Sequence, residues 1–323
     1  MKSDKTTPRN SAKKFLIVLL LVTVAMGVSG IAAIPAMAAA LAQKTFATPA
    51  AAVDALVAAN RGNRIGTLAT IFGPAGTKLL NSGDPVADKR GRTRFVAAYD
   101  EAHKLELDGS DKAILIVGGD EWPFPIPIIR EHKRWHFDTK AGAEEILNRR
   151  IGRNELKVIQ ICRAYVAAQR EYAAKRLGPH ESPEYAQHFM SKAGEHDGLY
   201  WSVKAGEEES PLGPLVAQAR AAGYRPGTPH IKPRPYYGYY FQILTRQGEH
   251  APGGARNYIV DNHMTGGFAL LAFPATYGDS GIMTFVVNQG GIVFEKNLGA
   301  DTTRIAHQIT QYDPDGSWRV SEP

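Results

Sequence analysis

The sequence predicts an α+β protein: N-terminal helices with a small curved sheet, then a long helix packed on an antiparallel β-meander. Three observations carry that expectation. Helix-start and helix-stop signals follow one another from Thr48 to His103. The stretch Arg149–Arg176 is a sustained helical pattern, with Val158, Ile159, Cys162, Tyr165, Val166 and Tyr172 recurring at helical spacing. Between Tyr239 and Glu295, short β-branched and aromatic runs alternate with Gly- and Asn-rich connections, the pattern of strands on tight turns.

Taken in order, Met1 to Lys14 is polar and basic, and Phe15 to Ile34 is a run of 20 residues without a charge. Pro35 and the small-x-small sites Ala36-Met37-Ala38 and Ala40-Leu41-Ala42 follow. This is the layout of a secretory signal peptide, with cleavage expected after Ala42. The run is also long enough to serve as an uncleaved membrane anchor, since a span needs about 20 apolar residues. Residues 1–42 are therefore expected to be an export segment. The body divides by composition into residues 43–145, an α+β unit, and residues 146–323, a helix-plus-sheet unit. Beyond residue 42 there are 33 basic and 31 acidic side chains. That balance gives no electrostatic footprint for nucleic acid, and no nucleic-acid partner is expected.

Within the first unit, Thr48-Pro49 places a hydroxyl N-cap before a proline at the first helical position. A second helix over Arg64–Phe72 is stopped by Gly73-Pro74. Asp84 is positioned to cap a third toward His103, with Phe95 and Tyr99 on one face. Ala113–Val117 is a buried-strand run. Prolines recur at every second position in Trp122–Ile128, which predicts an edge strand or rim with Trp122, Phe124, Ile126 and Ile128 on the opposite side. Arg134–Asp138 is its expected hairpin partner. Helices before a curved sheet resemble, by element order, nuclear-transport-factor-2-like cone domains.

In the second unit the long helix is followed by a loop-rich passage, a short helix over Leu212–Ala222, and an irregular Pro226–Pro235 stretch. Strands are expected at Tyr239–Thr245, Phe268–Phe273, Ile282–Val287 and Ile292–Glu295, then a helix capped by Asp301 and reaching Ile309. Cys162, the sole cysteine, lies on the apolar stripe of the long helix and reads as a buried thiol. Asn154-Glu155, Ala168-Gln169, Tyr172 and the later GYYF, GFALLAFPATYG and MTFVVN runs resemble the soluble part of type IV pilin-like proteins. The separation of this helix from the N-terminal apolar run departs from that pattern.

The stretches NSGDPVAD (Asn81–Asp88), WPFPIP (Trp122–Pro127), RRIGRNEL (Arg149–Leu156), DGLYW (Asp197–Trp201), SPLGPL (Ser210–Leu215), GYYF (Gly238–Phe241) and YGDSGIMTFVVNQGG (Tyr277–Gly291) are similar to the bacterial secreted proteins known as domain of unknown function 2950. The resemblance covers residues 46–319. It implies export and a bacterial envelope setting, and it brings no catalytic residues.

No constellation completes a catalytic set. Ser82, Asp84 and His103 lack the GxSxG elbow, and they read as a turn and an N-cap. His132 and His136 lack further metal ligands, and Asp313–Ser317 lacks the closing Glu of a calcium loop. No Gly-rich phosphate loop precedes a helix, so no cofactor is expected. Amphipathic aromatics in loops suit recognition. On that ground Trp122, Asp197, Tyr200 and Trp201 form the candidate partner or ligand surface, against the competing reading of sheet core and loop anchoring. The expected function is a non-catalytic exported interaction or assembly module whose partner is an envelope protein or cell-wall component. It would touch the membrane only through an uncleaved N-terminal segment. The alternatives are an envelope hydrolase and a small-ligand-binding protein, the latter requiring an open apolar pocket behind Trp122 and Trp135.

Overall fold

The computed structural model describes residues 43–178, 181–204, 206–225 and 234–322. Thr48 caps the first helix as its sequence predicts: its Oγ1 accepts from the Ala51 N–H at 3.1 Å, and Pro49 fills the first helical position. Helix α1 (Pro49–Arg61) is followed by α2 (Ile65–Phe72), which stops at Gly73 with φ 65°. A 3-10 turn and the four-residue α3 (Thr77–Leu80) lead to Asp84, which caps α4 (Pro85–Glu101) through the Val86 and Ala87 N–H groups.

The first sheet contains β1 (His103–Asp108), β2 (Lys112–Val117), β3 (Trp122–Pro123), β4 (Ile128–Glu131) and β5 (Arg134–Phe137). Its order is β1-β2-β4-β5, with β3 also paired to β2. Strand β1 was not expected, because its HKLELD side chains are nearly all exposed and show no apolar alternation. The proline-rich stretch meets the edge expectation at Trp122–Pro123, which pair with β2 alone, whereas from Ile128 onward β4 lies between β2 and β5. Its prolines both mark that edge and interrupt the ladder. Phe124 N donates to Leu115 O at 2.7 Å, while Pro125 and Pro127 have no N–H to give. The alternation holds from Phe124 onward, with Phe124, Ile126 and Ile128 buried, but Trp122 is 36% exposed. The outer edge is β5, and Phe46 covers it by exchanging two backbone hydrogen bonds with Trp135. Val53, Leu56, Leu68 and Ile71 of α1 and α2 pack with Leu115, Ile126 and Phe137 into one hydrophobic cluster.

Helix α5 (Thr139–Ala174) is 36 residues long and starts upstream of the expected Arg149, with Asp138 accepting from the Ala141 N–H. Its first turns lie against the proline-rich stretch. Gly142 permits this, because a Cβ there would collide with the Pro125 carbonyl and the Ile126 backbone. After it come a parallel pair, β6 (His188–Met190) with β7 (Gly198–Tyr200), and α6 (Gly213–Ala221). The Pro-rich 226–233 lies outside the described residues.

The remaining elements are β8 (Tyr239–Leu244), β9 (Arg246–Gln247), β10 (Arg256–Asn257), β11 (Ile259–Val260), β12 (His263–Met264), β13 (Ala269–Pro274), β14 (Met283–Asn288), β15 (Val293–Asn297), α7 (Thr302–Ala306) and β16 (Arg319–Val320). The antiparallel order β16-β15-β14-β13-β8 is the expected meander, with one strand added at its edge. Every residue of β13 is buried, as its continuous apolar run requires of a strand covered on both faces, by α5 on one side and α7 on the other. Val158, Cys162 and Tyr165 join β13 and β14 in the second hydrophobic cluster, and Tyr165 Oη donates to Ala269 O at 3.4 Å. Burial pushes the Cys162 thiol up to about 12, which fits a packing role. The last helix departs from expectation: it ends at Ala306, and Asp301 makes no side-chain cap, its carboxylate pairing with Arg304 instead. The two-residue ladders between Arg246 and Met264 were not expected either, being too short to show a period. No helix among the described residues is long and apolar enough to cross a membrane.

Candidate ligand-binding site

The two hydrophobic clusters meet at a polar junction built from four of the sequence motifs. Asp84 uses both carboxylate oxygens. Oδ1 takes the α4 N-terminus, while Oδ2 accepts from Tyr224 Oη at 2.7 Å and from Gly238 N at 2.9 Å. Asp88 accepts from the Ser82 backbone N–H at 3.0 Å and from its hydroxyl at 2.7 Å. Asn154 Nδ2 donates to Ser280 O at 2.9 Å, and Glu155 Oε1 accepts from the Ile282 and Met283 N–H groups at 2.8 and 2.9 Å. Thus NSGDPVAD, RRIGRNEL, GYYF and YGDSGIM fold against one another.

Beside this junction is a cavity of about 540 Å³, a size typical of small-molecule pockets. Helix α4 explains why it is there. None of its residues is buried: Phe95 and Ala98 pack against the rim of the first hydrophobic cluster and leave their other side to the cavity. Phe95 and Ala98 of α4 meet Leu56, Phe72, Leu79, Leu80, Val117, Phe124 and Ile146 in the apolar lining. Gly91 also lines it, and a Cβ there would meet nothing within 4 Å. A mid-helix glycine with no steric reason costs stability. Its effect here is to leave the space open.

The rest of the lining is cationic, with Arg94, Arg149 and Arg153 exposed to solvent. Arg90, Arg92 and Arg94 come from α4, and Arg149, Arg150, Arg153 and Lys157 from α5, against the single carboxylate of Asp88. Several of these cations are engaged. Arg150 donates to the carbonyls of Lys78 and Leu79, Arg149 pairs with Glu145 and stacks 5.3 Å over Trp122, and Arg92 Nε donates to Asn63 Oδ1 at 2.9 Å. Arg90 and Lys157 lie over the Tyr237 ring at 5.6 and 5.5 Å. Arg94 and Arg153 have no ion-pair partner among the described residues. Partial burial, then the nearby Arg94, Arg150 and Arg149, pull the Arg153 guanidinium below its ordinary value. Burial does the same to Arg150, opposed by Asp88 and Asp279. Arg153 therefore sits in the repulsive field of three neighbouring guanidiniums, whereas Arg150 is held by nearby carboxylates.

Of the residues singled out from sequence, Trp122 stands in this cavity wall, and Asp197, Tyr200 and Trp201 lie away from it. Asp197 accepts from the Lys192 N–H at 2.9 Å and pairs with its ammonium at 3.2 Å. Tyr200 is buried in the second cluster under Arg220, and Trp201 stacks on His196 with its indole N–H directed at Glu208 O. Trp135 is buried in the first cluster and does not line the cavity. Ser82 and His103 are not hydrogen-bonded to each other: the Ser82 hydroxyl serves Asp88, and the His103 ring stacks on Tyr99. Among the described residues no group of three or more His, Cys, Asp or Glu is placed to hold a metal ion. The arginine cluster was missed because whole-body charge was summed. The local signal was present in KRGRTR (Lys89–Arg94) and RRIGR (Arg149–Arg153), which set Arg90 and Arg94, and Arg149 and Arg153, four apart on two helices.

The model of a family described as protein of unknown function (DUF2950) matches residues 43–321. No curated protein and no solved structure matches the chain.

Proposed function

The chain belongs to the DUF2950 family of proteins of unknown function, and we propose that its role is to bind a small amphiphile with an apolar body and an anionic head. The observation that carries this reading is the cavity itself: an apolar lining shared with one carboxylate and seven cations, of which Arg94, Arg149 and Arg153 are exposed to solvent. An apolar body removed from water is stabilised by about 25 cal/mol per Å² of surface buried. An anionic head at the mouth then offsets repulsion already built into the fold. The Ser82 hydroxyl is engaged with Asp88, so the reading is of a binding site and not of a serine nucleophile. The basic N-terminus and the uncharged Phe15–Ile34 run support a location outside the cytoplasm, in the bacterial envelope, where amphiphiles are at hand.

The test is calorimetric titration of the full-length protein with a short-chain alkyl carboxylate below its micellar concentration. The expected result is saturable binding that Gly91→Phe abolishes by filling the cavity. Folding of that variant is checked by circular dichroism. Absence of binding by alkyl carboxylate, sulfate and phosphate alike, or binding indifferent to Gly91→Phe in a folded protein, overturns the reading.

A further inference from the structure

The nature of the head group can be taken further, on the assumption that the amphiphile-binding reading holds. Arg90 and Arg94 are four apart on α4, and Arg149, Arg153 and Lys157 are spaced by four on α5. Like charges at this spacing sit one above the other and destabilise a helix. Here two such rows face one cavity. The one carboxylate there, Asp88, is occupied by the Ser82 N–H and hydroxyl. Arg149 has its own partner in Glu145, and the two Arg150 donors are used on backbone carbonyls. Arg94 and Arg153, from different helices, are left as neighbouring guanidiniums with no counter-charge among the described residues. A planar monoanion meets one guanidinium fork well and leaves the second uncompensated. A tetrahedral dianion presents oxygens in several directions and carries enough charge for both.

We infer that the head group taken at this mouth is a dianionic phosphate monoester, held between Arg94 of α4 and Arg153 of α5 with its apolar substituent in the cavity. Arg90 and Lys157, now resting on the Tyr237 ring, supply the surrounding positive field.

Three ligands with the same tail separate the possibilities: octyl phosphate, octyl sulfate and octanoate, titrated calorimetrically into the full-length protein. The sulfate keeps the tetrahedral shape with one charge, and the carboxylate is planar with one charge. Inorganic phosphate serves as the tail-free probe. The expected result at pH ~7.5 is that octyl phosphate binds at least about tenfold more tightly than the other two, since charge-assisted hydrogen bonds are the strong ones. That advantage shrinks towards pH ~5, because the second phosphate ionisation lies near pH ~6, while the sulfate shows no such change. Arg94→Gln and Arg153→Gln each remove most of the advantage, and inorganic phosphate binds far more weakly than octyl phosphate. Equal binding of the three heads, or a phosphate affinity indifferent to pH, overturns the inference and leaves the amphiphile reading standing. Inorganic phosphate binding as tightly as octyl phosphate also overturns it. Failure of all three octyl ligands to bind removes both. Should a variant fail to fold, the head-group and pH comparisons on the unaltered protein decide the matter alone.

Discussion

At the scale of single residues, Asp84 holds more of the molecule together than its role as an N-cap requires. One oxygen closes α4, and the other takes hydrogen bonds from Tyr224 and Gly238, which come from the far side of the junction. The isosteric Asp84→Asn substitution cannot satisfy both sides. Whichever way the amide is turned, its NH₂ group faces a backbone N–H, either that of Gly238 or those at the start of α4. Tyr224→Phe removes one hydrogen bond to the carboxylate and the hydroxyl that accepts from the Tyr237 N–H at 3.1 Å. We therefore expect Asp84→Asn to destabilise by about 3 kcal/mol and Tyr224→Phe by about 1.5 kcal/mol, because hydrogen bonds to charged groups contribute about 1.5–3 kcal/mol and buried unpaired donors cost similar amounts. Midpoints of guanidinium unfolding measure the difference. The prediction fails if Tyr224→Phe is the more damaging change. The capping half of this was legible from Asp84-Pro85 at the head of a helical stretch. The second half was not, because nothing local links Asp84 to Gly238, 154 positions away.

At the scale of elements, two glycines in helices have opposite meanings. Gly91 of α4 faces open space, whereas Gly142 of α5 lies against the backbone of Pro125 and Ile126. Gly91→Ala should stabilise by about 1 kcal/mol, the helix-propensity difference between the two residues. Gly142→Ala should destabilise by roughly 1–3 kcal/mol, since the neighbour that must yield is main chain. Thermal melts of the two variants, run side by side, give the signs directly. Sequence patterns alone score both glycines as mild helix weakeners. The same limit explains the boundaries. The helices with caps or stop signals, α1, α2 and α4, were readable, as were the apolar strands of the meander. Strand β1 was not, because an edge strand exposed along nearly its whole length has no apolar period to read. The extra turns at the start of α5 exist through packing on the proline-rich strand, which no pattern within the helix encodes.

At the scale of the whole molecule, summed charge was misleading and distribution was informative. The body carries 33 basic and 31 acidic side chains, yet seven of the cations line one cavity. The family of motifs was recognisable from sequence, but that four of them close a junction beside this cavity could be known only once the chain was folded. The second cluster makes a prediction of its own. Burial raises the phenols of Tyr165, Tyr239, Tyr258 and Tyr312, and Tyr224 and Tyr236 at the junction are raised too, with burial again the largest cause. Tyr258 is pushed up to about 12, matching the Cys162 thiol. A group whose pKa is raised on folding contributes its full stability below the unfolded value, near pH ~10 for tyrosine, and loses it as pH climbs through the folded value. Within that window each such group costs about 1.4 kcal/mol per pH unit. With several phenols acting together, folding should be nearly independent of their titration below pH ~10 and collapse cooperatively between pH ~10 and ~12. Phenolate absorbance should therefore rise in two stages, exposed tyrosines first and the buried set together with the loss of far-ultraviolet dichroism. In concentrated guanidinium the two stages should merge into one near pH ~10. A native protein in which all 13 tyrosines titrate in one smooth step, with dichroism intact, would show that the aromatic core is wetter than its packing implies.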